Sequence, residues 1–131
     1  MFLKDYYPNL NKKFIKIKFS GIAFDSSNIK KDYIFFALKG NNIDGNKFIK
    51  DAVDNGSKII ISEKVNEGFR NNTLYLKNKK PRKLLAEFAA KINYQRPNNM
   101  VAVTGTNGKS SIASFYYQIL KLNKKKVASI G

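Results

Sequence analysis

The residues best suited to chemistry form one short loop, residues 104–111, with the sequence Thr-Gly-Thr-Asn-Gly-Lys-Ser-Ser. Glycines let a backbone approach a phosphate, and successive N–H groups at the start of a helix donate to its oxygens. A lysine at this position reaches the β- and γ-phosphates, and the hydroxyl after it ligates Mg²⁺. The loop therefore predicts a site for the phosphates of a nucleotide and for Mg²⁺. Ser110 is the expected metal ligand, and the expected nucleotide-binding residues are Gly105, Thr106, Asn107, Gly108, Lys109, Ser110 and Ser111.

The spacing of this loop departs from the general motif G-x-x-x-x-G-K-[ST]. The first glycine of that motif would stand at position 103, which is Val103 here, so the loop is shortened to G-x-x-G-K-S. The spacing leaves a second interpretation open. The segment could be an ordinary glycine-rich turn between a strand and a helix, with Lys109 in solvent.

A strand before the loop and a helix after it are expected to position these residues. Residues 100–104 form a short apolar run typical of a buried strand, and residues 127–130 predict the next strand. Between them, apolar residues recur at helical spacing. The predicted apolar face of that helix comprises Ile112, Phe115, Tyr116, Ile119 and Leu120.

The sequence before the loop alternates strand and helix signals. Strands are predicted at 19–25, 33–38, 58–62 and 72–76, and the run at 33–38 is apolar enough to be buried on both faces. One helix is predicted around residues 48–53, with Gly56 in the left-handed position after it. A second begins at Pro81 and has an apolar face that includes Leu84 and Phe88. Residues 96–99 break the pattern.

This order predicts an α/β protein. We expect a small N-terminal Rossmann-like domain with a mixed sheet over residues 1–97. Residues 98–131 should form the first β–P-loop–α–β unit of a larger, truncated domain. Because one such unit cannot bury both faces of a sheet, we expect the chain to be a fragment.

Composition excludes several kinds of site. The chain has no cysteine and no histidine, so it contains no disulfide, no thiolate or imidazole zinc site and no Ser-His-Asp triad. It has no apolar run near 18 residues and no visible secretory signal. We therefore expect no membrane association.

The net charge of +16 has two interpretations. A charge of this size attracts nucleic acid. However, 22 of the 25 basic residues are lysines, and lysine, asparagine and isoleucine, which A/T-rich codons specify, together make up 52 of 131 residues. Proteins that recognise nucleic-acid sequences favour arginine, because its planar guanidinium can donate two parallel hydrogen bonds. We favour codon bias and expect no nucleic-acid partner, although a basic nucleic-acid-binding protein stays as an alternative.

The shortened loop, Val-Thr-Gly-Thr-Asn-Gly-Lys-Ser-Ser, closely resembles the ATP loop of the Mur ligases. Three earlier segments resemble the N-terminal domain of the Mur ligases that add the third residue of the peptidoglycan stem. They are Phe-Asp-Ser-Ser at 24–27, Asp-Tyr-Ile-Phe-Phe-Ala-Leu-Lys-Gly at 32–40, and Asp-Gly-Asn-Lys-Phe-Ile at 44–49, followed by an Ala-x-x-x-Gly-Ser match at 52–57. The resemblance covers residues 19–131.

The resemblance implies an ATP-dependent, ADP-forming ligase of peptidoglycan precursor synthesis. It would join meso-diaminopimelate or lysine to UDP-N-acetylmuramoyl-L-alanyl-D-glutamate through an acyl phosphate. Residues 1–97 would bind the UDP portion, and residues 98–131 would begin the ATP-binding domain. The substrate-binding residues would be Phe24, Ser26, Asn41, Asn42 and Ile43. We expect a cytoplasmic monomer with ATP and this UDP-linked peptide as its small-molecule partners, and no catalytic residue within this chain.

Because the sequence departs from the family pattern at several positions, other assignments of the chain stay open. Ser27 stands where the family usually has arginine, and Asn46 stands where histidine is common. Ser26, Asn41 and Asn42 are also ordinary turn formers. The chain could instead belong to a Mur-type ligase that adds D-alanyl-D-alanine, to a folylpolyglutamate synthetase-like enzyme, or to a stand-alone nucleotide-binding module.

Overall fold

The chain divides into two units in a computed structural model that describes residues 1–95 and 97–130. The first unit is Met1–Tyr94 and the second is Gln95–Gly131. Arg96, in the predicted break, and Gly131 lie outside the described residues. Among the residues described, no helix combines the length and the apolar character needed to cross a membrane.

A five-stranded sheet forms the centre of the first unit. Its spatial order is β1-β2-β3-β5-β4, and all neighbouring strands are parallel except β4, which runs antiparallel to β5. The α/β class and the mixed sheet predicted from the sequence are confirmed. The strands are β1 (Gly21–Ala23), β2 (Tyr33–Phe36), β3 (Ser57–Ser62), β4 (Gly68–Arg70) and β5 (Thr73–Lys77).

Three α-helices accompany the sheet and the loop. Helix α1 (Ile49–Asp54) follows a 3₁₀ turn at Gly45–Phe48, and Gly56 after it has the predicted left-handed φ, +97°. Helix α2 (Pro81–Ile92) begins at Pro81 as predicted. Helix α3 (Lys109–Leu122) belongs to the second unit. Shorter 3₁₀ turns lie at Leu3–Asp5, Lys12–Phe14 and Ser26–Asn28.

The central strands are buried on both faces, because successive side chains of a strand point to opposite sides of the sheet. Ile34 and Phe36 of β2 join a cluster that includes Leu84 and Phe88 of α2. Phe35, between them, joins a second cluster with Ala52 of α1. The apolar run of β2 is therefore sandwiched between helices, as its sequence predicted.

The first 19 residues complete the larger cluster, a role that the sequence reading did not assign to them. Leu3, Phe14 and Phe19 are buried in it, and an antiparallel bridge joins Phe2 to Lys18. Strand β4 was also missed. It is three residues long and lies at the sheet edge, so its sequence carries too short a pattern to recognise.

The two strands predicted in the second unit are wrong. Residues 101–104 and 127–130 adopt no strand, and most of these residues are exposed. A strand is stable only when a neighbour pairs with its backbone N–H and C=O groups. Within the described part of the second unit, no such ladder forms. The glycine-rich loop and helix α3 are present, but the two predicted strands on either side of them are not.

Candidate functional site

The predicted substrate-binding residues follow two adjacent strands of the first unit. Phe24 and Ser26 come directly after β1, and residues 41–43 come after β2. These strands are parallel and paired, with Ala23 opposite Phe35, so both segments lie at the carboxyl edge of the sheet. This edge is where open α/β sheets bind their ligands. The fold thus places the two segments at one edge.

The segment after β1 is a short capped turn. The Asp25 carboxylate accepts hydrogen bonds from the Ser27 N–H at 2.9 Å and from the Ser27 hydroxyl at 2.8 Å. Both hydrogen bonds lower the pKa of Asp25 below its ordinary value, and the bond from the Ser27 backbone N–H has the larger effect. Ser27, which replaces the family's arginine, therefore stabilises this turn locally. The Asn55 amide donates to the Ser26 carbonyl oxygen at 3.0 Å and ties the turn to the end of α1.

The segment after β2 is a tight, exposed turn. The Gly40 N–H donates to the Ile43 carbonyl at 2.8 Å, and Lys39 and Asp44 form an antiparallel bridge. Below the turn, the Gly45 N–H donates to the Leu38 carbonyl at 2.8 Å, an approach so close that a Cβ at Gly45 would lie 2.6 Å from that oxygen. We call residues 40–43 the nucleotide turn.

Apolar and amide groups are both accessible at this edge. Asn41 and Asn42 are exposed, and the side chains of Phe24 and Ile43 are 65% and 62% exposed. Amides pair with the edge of a base, while exposed apolar side chains cover its face. This edge therefore exposes groups of the kinds that contact a uracil.

A polar network below the nucleotide turn was not predicted. Lys64 forms an ion pair with Asp44 at 2.6 Å, and the Asp44 carboxylate also accepts from the Asn46 N–H at 3.0 Å. The Lys64 ammonium and then the Asn46 groups hold the pKa of Asp44 far below its ordinary range. Asn46 also accepts a hydrogen bond from the buried Ser62 hydroxyl. Asn46 therefore joins two loops rather than standing in solvent.

A basic cavity of about 540 Å³ lies beside the nucleotide turn. Its walls are the segment after β2, with Leu38 and Lys39, and the start of α2, with Lys80 and Arg82. The cavity therefore opens at the same carboxyl edge of the sheet. In the sequence, this cavity is marked by two adjacent lysines, Lys79 and Lys80, which follow β5 after one intervening residue.

The loop of the second unit opens α3 as its motif predicts. Gly108 precedes the helix with φ +75° and Gly105 has φ +150°, conformations that favour glycine. No atom lies within 4 Å of a Cβ built on Gly108, so backbone conformation rather than space requires a glycine there. Residues 105–111 are exposed, including Ser110 and Ser111 in the first turn of the helix.

The Lys109 side chain folds back over the loop. Its ammonium donates to the carbonyl oxygens of Gly105 and, at 3.1 Å, of Thr106. The Lys109 cation is therefore held against the backbone of the loop. The described residues contain no group of three or more acidic side chains close enough to hold a metal ion.

Comparison with known proteins identifies the class to which this fold and loop belong. The sequence profile described as "Mur ligase family, catalytic domain" matches residues 18–93, more than half of the chain. The chain belongs to the Mur ligase family.

Individual relatives agree with this assignment. UDP-N-acetylmuramoyl-L-alanyl-D-glutamate–2,6-diaminopimelate ligase of Rickettsia prowazekii is 43% identical over 124 residues, which cover 94% of this chain and 25% of that protein. The chain spans about a quarter of the length of the curated relatives it matches.

Solved structures show the same fold. A structure of a UDP-N-acetylmuramoyl-L-alanyl-D-glutamate–2,6-diaminopimelate ligase superposes with a TM-score of 0.71 over the whole chain and 27% of its own length, at 22% identity. The MurF ligase of Thermotoga maritima, crystallised in complex with ADP, gives a TM-score of 0.60 and 28% identity, covering 77% of this chain and 23% of that one.

Proposed function

We propose that this chain supplies the UDP-binding domain and the ATP loop of a ligase that builds the peptidoglycan precursor. The ligase joins a diamino acid to UDP-N-acetylmuramoyl-L-alanyl-D-glutamate, and ATP is converted to ADP and phosphate. The observation that carries this proposal is the 43% identity to the Rickettsia prowazekii ligase, sustained over 94% of the chain. The name of that relative favours diaminopimelate over lysine as the added amino acid.

In the proposed reaction, the terminal phosphoryl group of ATP passes to the substrate carboxylate and forms an acyl phosphate, releasing ADP. The amine of the incoming diamino acid then attacks the acyl carbon, and phosphate leaves. Phosphoryl transfer depends on positioning and on compensation of charge. The part proposed for this chain is to hold the two nucleotides, not to supply a catalytic residue.

The first unit is proposed to bind UDP through Phe24, Ser26 and the nucleotide turn. Its support is the placement of these residues at one carboxyl edge, where Ser26 is half-buried and Asn41 and Asn42 are exposed. The adjacent basic cavity adds cations, among them Lys39 and Lys80, that suit a diphosphate. The chain acts as a cytoplasmic monomer in this proposal.

The second unit is proposed to bind the phosphates of ATP with residues 105–111. The loop fits such a group because its glycines adopt left-handed conformations, α3 begins directly after it and Lys109 lies across it. Ser110, in the first turn, would hold Mg²⁺, which neutralises the charge of the phosphates.

A chimera tests this function. The 131 residues would replace the corresponding segment of the Rickettsia prowazekii ligase, and the chimera would be mixed with ATP, Mg²⁺, UDP-N-acetylmuramoyl-L-alanyl-D-glutamate and meso-diaminopimelate. We expect a UDP-linked tripeptide by mass spectrometry and ADP in equal amount. A folded chimera that binds both nucleotides but forms no tripeptide would contradict the proposed function.

The isolated chain is the matched control for the chimera. We expect it to release no ADP above the blank under the same conditions, because positioning of the acyl acceptor needs parts of the relatives that this chain does not cover. The assay is a coupled ADP measurement over several hours. Steady phosphate release that depends on the UDP-linked substrate would overturn this expectation.

A further inference from the structure

We propose that Lys64 and Arg82 are positioning residues that hold the nucleotide turn, residues 40–43, in its binding conformation. The inference rests on the proposed UDP site. Lys64 contacts the residue directly after the turn, and Arg82 contacts the residue directly before it. The two cations come from different elements of the fold, so together they anchor the turn at both of its ends.

The Lys64 side chain is 57% exposed, but the network that it joins reaches buried structure. The Lys64 ammonium lies 2.6 Å from Asp44 Oδ2, and the Lys64 N–H donates to the Ser62 Oγ at 3.0 Å. Ser62 is the last residue of β3 and is completely buried, and its hydroxyl donates to Asn46. Asn46 in turn donates its backbone N–H to Asp44. The loops after β2 and β3 are thereby joined by a closed set of hydrogen bonds.

The Arg82 anchor is fixed by the start of α2. Its guanidinium donates to the Lys39 carbonyl oxygen at 3.1 Å. Pro81 begins the helix, and the Lys80 N–H donates to the Asn78 side chain at 2.8 Å. Two residues after Arg82, Leu84 is buried against the sheet. The backbone that carries Arg82 therefore has little freedom.

The nucleotide turn is closed by its own backbone, through the Lys39–Asp44 bridge at its base, and the two anchors tie that closed turn to the loop after β3 and to α2. Asn41 and Asn42 are exposed, and the hydrogen bond that closes the turn joins Gly40 to Ile43. Ordering a loop when a ligand binds reduces affinity, and a loop ordered in advance avoids this loss. Partly exposed ion pairs such as Lys64–Asp44, by contrast, contribute little to folding stability. Removing either anchor should therefore lower the affinity for UDP rather than the folding stability.

The test compares Lys64→Met and Arg82→Met with Lys47→Met in the full 131-residue chain. Lys47 lies in the 3₁₀ turn after Asp44, and its ammonium makes no hydrogen bond to the residues that the structure describes. UDP is the probe, and its affinity is measured by calorimetry. We expect each anchor variant to bind UDP about three- to tenfold more weakly, the loss that an unordered side chain or loop causes. Lys47→Met should bind as the wild type does.

Two further measurements distinguish a positioning role of Lys64 and Arg82 from a general loss of structure. Hydrogen exchange at the Gly40 amide should accelerate in both anchor variants, while exchange at the β3 amides stays as in the wild type. Lys64→Arg should restore most of the affinity, because a guanidinium also pairs with the Asp44 carboxylate. Exchange that rises equally in β3 and in the turn would show a structural effect and would overturn the inference.

The possible failures are distinguishable. If the wild-type chain binds no UDP, the proposed function fails and the inference fails with it. If the wild type binds UDP and both anchor variants bind it equally well, the inference alone is overturned. If only the anchor variants lose affinity, and the Gly40 amide exchanges faster in them, both stand.

Discussion

Replacing Phe88 by alanine will destabilise the first unit by about 3–5 kcal/mol, the usual loss for a large aromatic side chain in a core. Phe88 is completely buried. Its ring centroid lies 5.3 Å from that of Tyr6, 5.8 Å from that of Phe19 and 5.5 Å from that of Phe36. The substitution removes three aromatic contacts at once, and they come from the N-terminal segment, the segment before β1 and strand β2.

The measurement is urea unfolding followed by the NMR signals of the β3 amides, which report on the first unit alone. Phe24→Ala is the matched control, because it removes the same side chain from a site that is 65% exposed. We expect that control to change the free energy of unfolding by no more than about 0.5 kcal/mol. Equal effects of the two substitutions would contradict the packing described for α2.

Replacing Lys109 by alanine will weaken the contact between ATP and the loop at 105–111 by about 10- to 100-fold, since a hydrogen bond to a charged group contributes about 1.5–3 kcal/mol. The Lys109 ammonium donates to the loop carbonyls of Gly105 and Thr106. It is therefore already near the place where the β- and γ-phosphates are proposed to lie.

ATP titration followed by the amide signals of residues 105–111 measures this loss. We expect weak binding even in the wild type, so the titration must extend to millimolar ATP, the range of poor affinities. Lys121→Ala is the control, because it removes the same charge near the other end of α3, where the Lys121 ammonium lies over the Tyr117 ring. Equal losses in the two variants would indicate attraction by charge alone and would contradict a phosphate site at the loop.

The sequence predicted those parts of the fold that depend on local pattern and on proline or glycine chemistry. Helix α2 begins at Pro81 because the missing N–H of proline is tolerated there. Strand β2 is buried on both faces, as its continuous apolar run indicated. Gly56 has the left-handed conformation expected after α1. Each of these features is encoded within a few neighbouring residues.

Features that depend on distant partners were not predictable in this way. The segment at 100–104 has the composition of a buried strand, but composition does not supply a neighbour to pair with it. Lys64 and Asp44 are 20 residues apart, and only the parallel pairing of β2 and β3 brings them together. The candidate substrate residues were found through resemblance, whereas their anchors became visible only in the fold.

The central claim is that the two nucleotides bind to separate regions of this chain. Titration of the ¹⁵N-labelled chain with UDP-N-acetylmuramic acid tests it most directly, with Ser26→Ala as the weakened variant. We expect shifts at Phe24, Ser26 and residues 41–43, none at residues 105–111, and smaller shifts in the variant at equal ligand concentration. Shifts confined to residues 105–111, or binding that is unchanged by Ser26→Ala and abolished by Lys109→Ala, would contradict it.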